Sequence, residues 1–110
     1  MREISWVNAA LKVFRDFPVD VQTQMMDGLL EISAGLFPDF AKPLKGLEGG
    51  VFELALQYRG NAWRTVYALK IDSDIWVIHA FQKKSTIGIK TPKVDIELIN
   101  RRIKQLRRVK

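Results

Sequence analysis

The sequence has no cysteine and a single histidine, His79, among its 110 residues. Without cysteine, the chain cannot form disulfides, thiolate nucleophiles or thiolate metal sites. One histidine with no second ligand at a recognised spacing argues against a metal centre, so we expect neither a metal nor another cofactor. One histidine and scattered serines do not predict a catalytic triad. The sequence also lacks a glycine-rich phosphate-binding loop that follows a strand. Because His79 lies in an apolar segment, we interpret it as a packed histidine, with a direct functional role as the alternative.

Long apolar runs are also missing. None approaches the roughly 20 residues that a membrane-spanning helix needs. The first residues lack the apolar core and cleavage site of a secretory signal, so we expect a cytoplasmic protein without membrane contact. A hydrophobic content of 47% and a charged content of 27% are typical of a globular protein, and the length predicts one domain over residues 1–110.

Positive charge is concentrated near the end of the chain. Residues 81–110 contain ten Lys or Arg and two acidic residues, whereas residues 1–80 contain eight Lys or Arg and ten acidic residues. The formal net charge is +6. Clustered cations of this kind favour an anionic partner, either nucleic acid or an acidic protein, although a solvated helix face would leave the same pattern.

The first 35 residues predict a helical hairpin. Apolar residues at helical spacing run from Ile4 to Phe14, and Phe17-Pro18 then interrupts the pattern. Pro18 suits the first turn of a second helix that ends near Ala34-Gly35. We expect that helix to bury Met26, Leu29 and Leu30, and Met25-Met26 to fill gaps in the core. As an alternative for the first residues, Ile4-Ser5-Trp6 predicts a short edge strand.

Strand patterns follow a segment, residues 36–50, that Pro and Gly predict to be irregular. Alternation over Phe52–Tyr58 predicts a strand with one buried face. Trp63–Ile71 and Ile75–Phe81 predict two more strands, and residues 82–90 a loop. Thr91-Pro92 predicts the start of a basic C-terminal helix. The fold class is therefore α+β, with the hairpin packed on a twisted antiparallel sheet of three to four strands.

Basic residues should converge on one part of this sheet. Arg64 lies early in the second strand, Lys83 and Lys84 end the third, and Lys42 and Lys45 precede the first. Such a groove could hold RNA phosphates and stabilise a reacting one without a metal. A lysine crowded by other cations could take the proton of the RNA 2′-hydroxyl, while a second lysine protonates the departing 5′-oxygen. The composition permits this mechanism without singling it out.

Five segments in this order resemble the RelE/ParE toxin superfamily, and most closely its phage-derived, HigB-like branch. They are Lys42–Leu47, Val51–Leu54, Trp63–Tyr67, Ile78–Lys84 and Lys90–Pro92, the last followed by a helix. The resemblance implies a RelE-like fold and the toxin of a type II toxin–antitoxin system that cuts mRNA on the ribosome. It also implies a helix-turn-helix antitoxin, through which alone the toxin would reach operator DNA.

The resemblance implies the site residues by position. Arg64 matches the strand arginine that ribonuclease members use at the reacting phosphate, and Lys83 and Lys84 match the basic residues that close the third strand. These three are the predicted catalytic residues. The predicted RNA contacts are Lys42, Lys45, Arg59 and Lys90.

Two departures from the family pattern keep other functions open. Ala55 stands where many relatives have arginine, and no Tyr or His follows His79. One alternative is a gyrase inhibitor of the ParE kind. The other is a catalytically silent module that only binds its antitoxin.

Overall fold

The computed structural model describes residues 1–84 and 90–109, so part of the predicted loop 82–90 lies outside the described residues. The class is α+β, as predicted. The elements in chain order are β1 (Ile4–Trp6), α1 (Asn8–Arg15), α2 (Val19–Ser33), β2 (Ala41–Pro43), β3 (Val51–Tyr58), β4 (Asn61–Ala68), β5 (Ile75–Lys84) and α3 (Lys93–Val109).

Within residues 1–84 and 90–109, the sheet has five strands in the order β1-β5-β4-β3-β2, so it is larger than the three to four strands predicted. The pairs from β2 to β5 are antiparallel, whereas β1 runs parallel to β5. The parallel pair is held by Ile75 N donating to Glu3 O at 2.8 Å and Val7 N donating to Val77 O at 2.9 Å. β2 lies within the segment predicted to be irregular. A three-residue edge strand that ends in proline is too short to show the alternating pattern that predicts a strand.

Helices cover both faces of the sheet. One face packs against the hairpin, with Phe14, Met25 and Leu29 against Trp63 and Tyr67. The opposite face packs Val66 and Ile78 against α3 through Ile99 and Ile103. The central strands are therefore buried on two sides, which places polar residues of one strand face beneath α3.

The buried stripe of α2 differs from the prediction. Leu29 is buried, but Leu30 is 48% exposed, and Met25 rather than Met26 is fully buried. Residues 21, 25, 28, 29 and 32 form one stripe at helical spacing, and Leu30 lies about 100° away from Leu29 around the axis. Gly28 allows the close approach, because a Cβ there would lie 2.7 Å from Phe40 Cζ.

A β-bulge interrupts the β4–β5 ladder. Val66 pairs with His79 and Tyr67 pairs with Val77, which leaves Ile78 as the extra residue. Ile78 packs in the α3-side core, and His79 also contacts α3. The bulge therefore directs two consecutive side chains to the same face.

Candidate nucleic-acid interface

A cleft of about 460 Å³ opens between the β2 region and the start of α3. We call it the lysine cleft. Three lysines line it, and they come from three places in the chain: β2, the following turn and the residue before Thr91. The lining residues are Lys42, Pro43, Leu44, Lys45, Gly46, Glu53, Lys90, Thr91 and Ile96.

Backbone structure brings the first two lysines to this cleft. Lys42 pairs with Glu53 across the β2–β3 ladder, which fixes its position along the sheet. Lys45 follows in a turn in which Gly46 adopts a φ of 86°, a conformation that residues with a Cβ rarely adopt. Lys45 and Lys90 are exposed, and Lys42 is half-buried. Together they form a cationic rim suited to phosphate oxygens.

A buried ion pair lies at the base of the lysine cleft. Arg64 Nη1 donates to Glu53 Oε1 at 2.7 Å, and both side chains are 4% exposed. The other carboxylate oxygen, Glu53 Oε2, accepts from Thr91 Oγ1 at 3.0 Å. Glu53 therefore neutralises Arg64 and also ties the start of α3 to the sheet.

Lys83 reaches the rim of the lysine cleft through the backbone of Lys90. Its Nζ donates to the Lys90 carbonyl at 2.7 Å. Lys84 is the last residue of β5, and its backbone pairs with Asn61. Arg59 lies in the β3–β4 turn with a φ of 51°, its Cζ 5.2 Å from the Tyr58 ring centroid, and it is not among the lining residues.

The structure thus brings together some of the predicted catalytic and RNA-binding residues. Lys42, Lys45 and Lys90 line one cleft, and Lys83 adjoins it. Arg64 lies beneath this cleft at 3% exposure rather than on its surface. A charge reversal at Arg64 is therefore expected to disturb the fold as well as the site.

Sequence reasoning missed Glu53 and Thr91. The alternating pattern of β3 predicted Glu53 on an open face, whereas it is 3% exposed. The alternating pattern predicts that one face of β3 is buried, but it does not indicate that α3 covers the opposite face. Thr91 was interpreted only as marking the start of the C-terminal helix, yet its hydroxyl donates to the Glu53 carboxylate.

His79 is a packed histidine with both ring nitrogens engaged. Nε2 lies 2.7 Å from Asp95 Oδ1, and Nδ1 lies 3.3 Å from Arg102 Nη1. Because arginine can only donate, Nδ1 accepts and Nε2–H donates to Asp95. The ring also stacks on Phe81 at 5.1 Å between centroids. His79 therefore joins β5 to α3 as a neutral imidazole.

Burial lowers the pKa of His79, and the hydrogen bond to Asp95 opposes this only in part. The unfolded chain consequently binds more protons than the folded chain below about pH 6.5. We expect the free energy of unfolding to fall as pH drops from 7.5 to 5.5, by up to about 1.4 kcal/mol per pH unit. Urea unfolding at each pH measures this. His79→Gln should flatten the profile, and an equal slope in both proteins would contradict the assignment.

The described parts of the chain show two further properties. Within residues 1–84 and 90–109, no group of three or more His, Cys, Asp or Glu is arranged to hold a metal ion. In those same residues, no helix is both long enough and apolar enough to cross a membrane.

A family model described as phage derived protein Gp49-like (DUF891) matches residues 12–104. The chain therefore belongs to this Gp49-like family.

Solved structures of Escherichia coli RelE have the same fold. The isolated toxin in its P21 form is 19% identical with a TM-score of 0.61, and the match covers 92% of this chain and 98% of that one. A RelE mutant with two arginines changed to alanine, in the free state, is 20% identical with a TM-score of 0.63 and coverages of 91% and 96%. No protein with a curated description matches at a significant level.

Proposed function

We propose that this protein is a toxin that cuts mRNA on the ribosome, in the cytoplasm, and is neutralised by a helix-turn-helix antitoxin. The observation that carries the proposal is the lysine cleft. Its lysines come from separate parts of the chain to one concave surface, in a chain with a net charge of +6. A concave surface lined by cations is how many proteins hold the backbone of a single-stranded nucleic acid.

In this proposal the cleft lysines hold the RNA backbone while the reaction proceeds without a metal. The 2′-oxygen attacks phosphorus and the bond to the 5′-oxygen breaks, which leaves a 2′,3′-cyclic phosphate and a 5′-hydroxyl. One of Lys83 and Lys84 takes the 2′-proton, and the other returns a proton to the 5′-oxygen. Lys42, Lys45 and Lys90 bind the neighbouring phosphates, and Arg59 binds RNA further along the β3–β4 turn.

The position of Arg64 favours a second candidate. Its guanidinium is neutralised by Glu53 beneath the cleft, so the charge available to a pentacoordinate phosphate is reduced. Ala55, which pairs with Arg64 across the β3–β4 ladder, contributes no further cation. A catalytically silent module that binds its antitoxin is the function that these two observations support.

Expression of the chain alone, under tight induction, tests the proposal. Growth arrest with new mRNA 5′ ends inside translated frames is the expected result. Arrest with intact mRNA and DNA-damage signalling would instead indicate gyrase inhibition. An absence of arrest, with folded protein present in the cells, would support the silent module.

A further inference from the structure

The lysine cleft offers charge to RNA but little that distinguishes one base from another. Among the described residues that line it, none is aromatic and none carries a side-chain amide. The Thr91 hydroxyl donates to the Glu53 carboxylate at 3.0 Å, so these two polar groups already have partners. The lysine ammonium groups bind phosphates as point charges. A residue that reads a base should therefore lie outside the cleft, along the path of the RNA.

Strand β3 defines that path. Glu53 lines the cleft, and Arg59, a predicted RNA contact, lies six residues after Glu53 in the β3–β4 turn. At about 3.3 Å per residue, the two positions are roughly 20 Å apart. RNA that is held both at the cleft and at Arg59 has to cross the last residues of β3.

Two side chains of β3 lie on that stretch of the sheet face. Leu54 and Leu56 pack on the side of the helical hairpin. Because successive side chains of a strand alternate, Ala55 and Gln57 share the opposite face with Glu53. Ala55 is half-buried and Gln57 is exposed. The single methyl group of Ala55 leaves space beside the Gln57 amide for a planar ligand.

Helix α3 leads away from this part of the sheet. Asp95, in its first turn, bonds to His79, and its last turns lie beside Trp76. Gln57 lies towards the other end of β5, because Gln57 and Lys83 flank the same residue of β4. Two strand spacings, roughly 10 Å, separate Gln57 from Lys83. A base at Gln57 therefore belongs to a nucleotide close to the phosphate that Lys83 is proposed to serve.

The main chain of Gln57 faces the edge of β3 beyond β2. On the β2 side, Ala55 N donates to Phe40 O at 3.0 Å. Main-chain groups of a strand alternate in direction, so the N–H and C=O of Gln57 point to the same side as those of Ala55. Within the described residues, the β2–β3 pairing covers Phe52 to Leu54 and does not reach Gln57. Gln57 thus presents polar groups of both side chain and main chain at one accessible place.

We propose that Gln57 selects adenine in RNA bound at the lysine cleft. The glutamine amide has one acceptor and two donors, and its usual bidentate partner is adenine. Its oxygen accepts from the exocyclic N6 amino group, and its nitrogen donates to a neighbouring ring nitrogen of the base. Bases of single-stranded RNA can be turned out and read on their edges in this way. The proposal rests on the proposed function and adds a base preference to its substrate.

The test measures base preference directly, with the full chain and without ribosomes. The probes are short oligouridines in which the central base is uridine, adenine, cytosine or guanine. Fluorescence anisotropy at one fixed low salt concentration measures each affinity. Gln57→Ala removes the amide, and Gln24→Ala removes an equally exposed amide from α2, on the hairpin side of the sheet. Cleavage sites are mapped in cells that express each chain.

We expect the wild-type chain and Gln24→Ala to bind the adenine probe at least about fivefold more tightly than the other three. Gln57→Ala should bind all four probes as the wild-type chain binds the uridine probe. In arrested cells, adenine should be enriched beside the cuts made by the wild-type chain and not beside those made by Gln57→Ala.

Equal binding of the four probes by the wild-type chain, or a preference for another base, would overturn the proposal. It would also be overturned by an adenine preference that survives in Gln57→Ala. A uniform loss of affinity in Gln57→Ala would contradict it as well, because a merely structural role weakens all probes alike. Intact mRNA together with a Gln57-dependent adenine preference would refute the nuclease and leave the base assignment standing.

Discussion

Glu53→Gln should lower the free energy of unfolding by about 3–5 kcal/mol, because it removes the carboxylate that pairs with the buried Arg64 guanidinium. Both side chains of this pair are 4% exposed, so water cannot replace the lost carboxylate. The change also weakens the contact with Thr91 at the start of α3. Urea unfolding followed by circular dichroism at pH 7 measures the effect.

The chain contains a matched control for this substitution. Glu48 also pairs with an arginine, Arg107, but both of those side chains are 43% exposed. Glu48→Gln should therefore change the free energy of unfolding by no more than about 1 kcal/mol. The double replacement of Glu53 and Arg64 by leucine should restore most of the loss, since no unpaired charge remains. If Glu53→Gln cost no more than Glu48→Gln, the buried pair would not have the stabilising role inferred here.

The burial of the Glu53–Arg64 pair also affects variants of Arg64. A variant of Arg64 that fails to arrest growth could simply be unfolded, so its stability must be measured alongside its toxicity. The exposed lysines of the cleft avoid this difficulty, because surface substitutions away from buried partners usually change stability by about 0.5 kcal/mol or less.

Lys45→Ala combined with Lys90→Ala should abolish growth arrest and remove the new mRNA 5′ ends. Both residues are exposed on the rim of the lysine cleft, where they would release counterions from bound RNA. For single-stranded RNA, the slope of log affinity against log salt should become shallower by about 1.4, or roughly 0.7 per lost contact. Fluorescence anisotropy across a salt series measures the slope.

The control for the lysine cleft removes the same charge elsewhere. Lys12→Ala with Lys104→Ala changes two exposed lysines that do not line the cleft. It should leave the salt slope and the growth arrest near the wild-type values. Equal losses in the two double variants would mean that RNA responds only to net charge, which would contradict a defined binding cleft.

Local patterns predicted much of the fold because they depend on neighbours in the chain. Pro18 and Gly35 delimit α2, and Thr91-Pro92 precede α3 as expected. Alternation predicted the central strands to within a few residues, although β4 ends at Ala68 rather than at residue 71. The edge strands were harder to predict. β2 was missed because three residues carry too little periodicity, whereas β1 was predicted as a short edge strand at Ile4–Trp6 and pairs in parallel with β5.

For the candidate site, too, local features were predicted from the sequence and contacts between distant segments were not. The sequence placed lysines before β3 and before α3, and three of them line the cleft. It did not reveal that Arg64 is neutralised by Glu53, because that pair depends on the register of β3 against β4 and on the cover supplied by α3. Arg59, predicted as an RNA contact, lies in the β3–β4 turn and outside the set of residues that lines the cleft.

The amino-acid sequence by itself determined the α+β class, the cationic character and the exclusion of thiol chemistry, since these depend on composition and local periodicity. Only the tertiary structure decided which cations are free to meet a ligand. Two helices on one sheet face and one on the other bury Arg64 and His79 while leaving Lys45 and Lys90 exposed. The physical reason is that burial and pairing of charge arise from contacts between distant segments, which no local pattern contains.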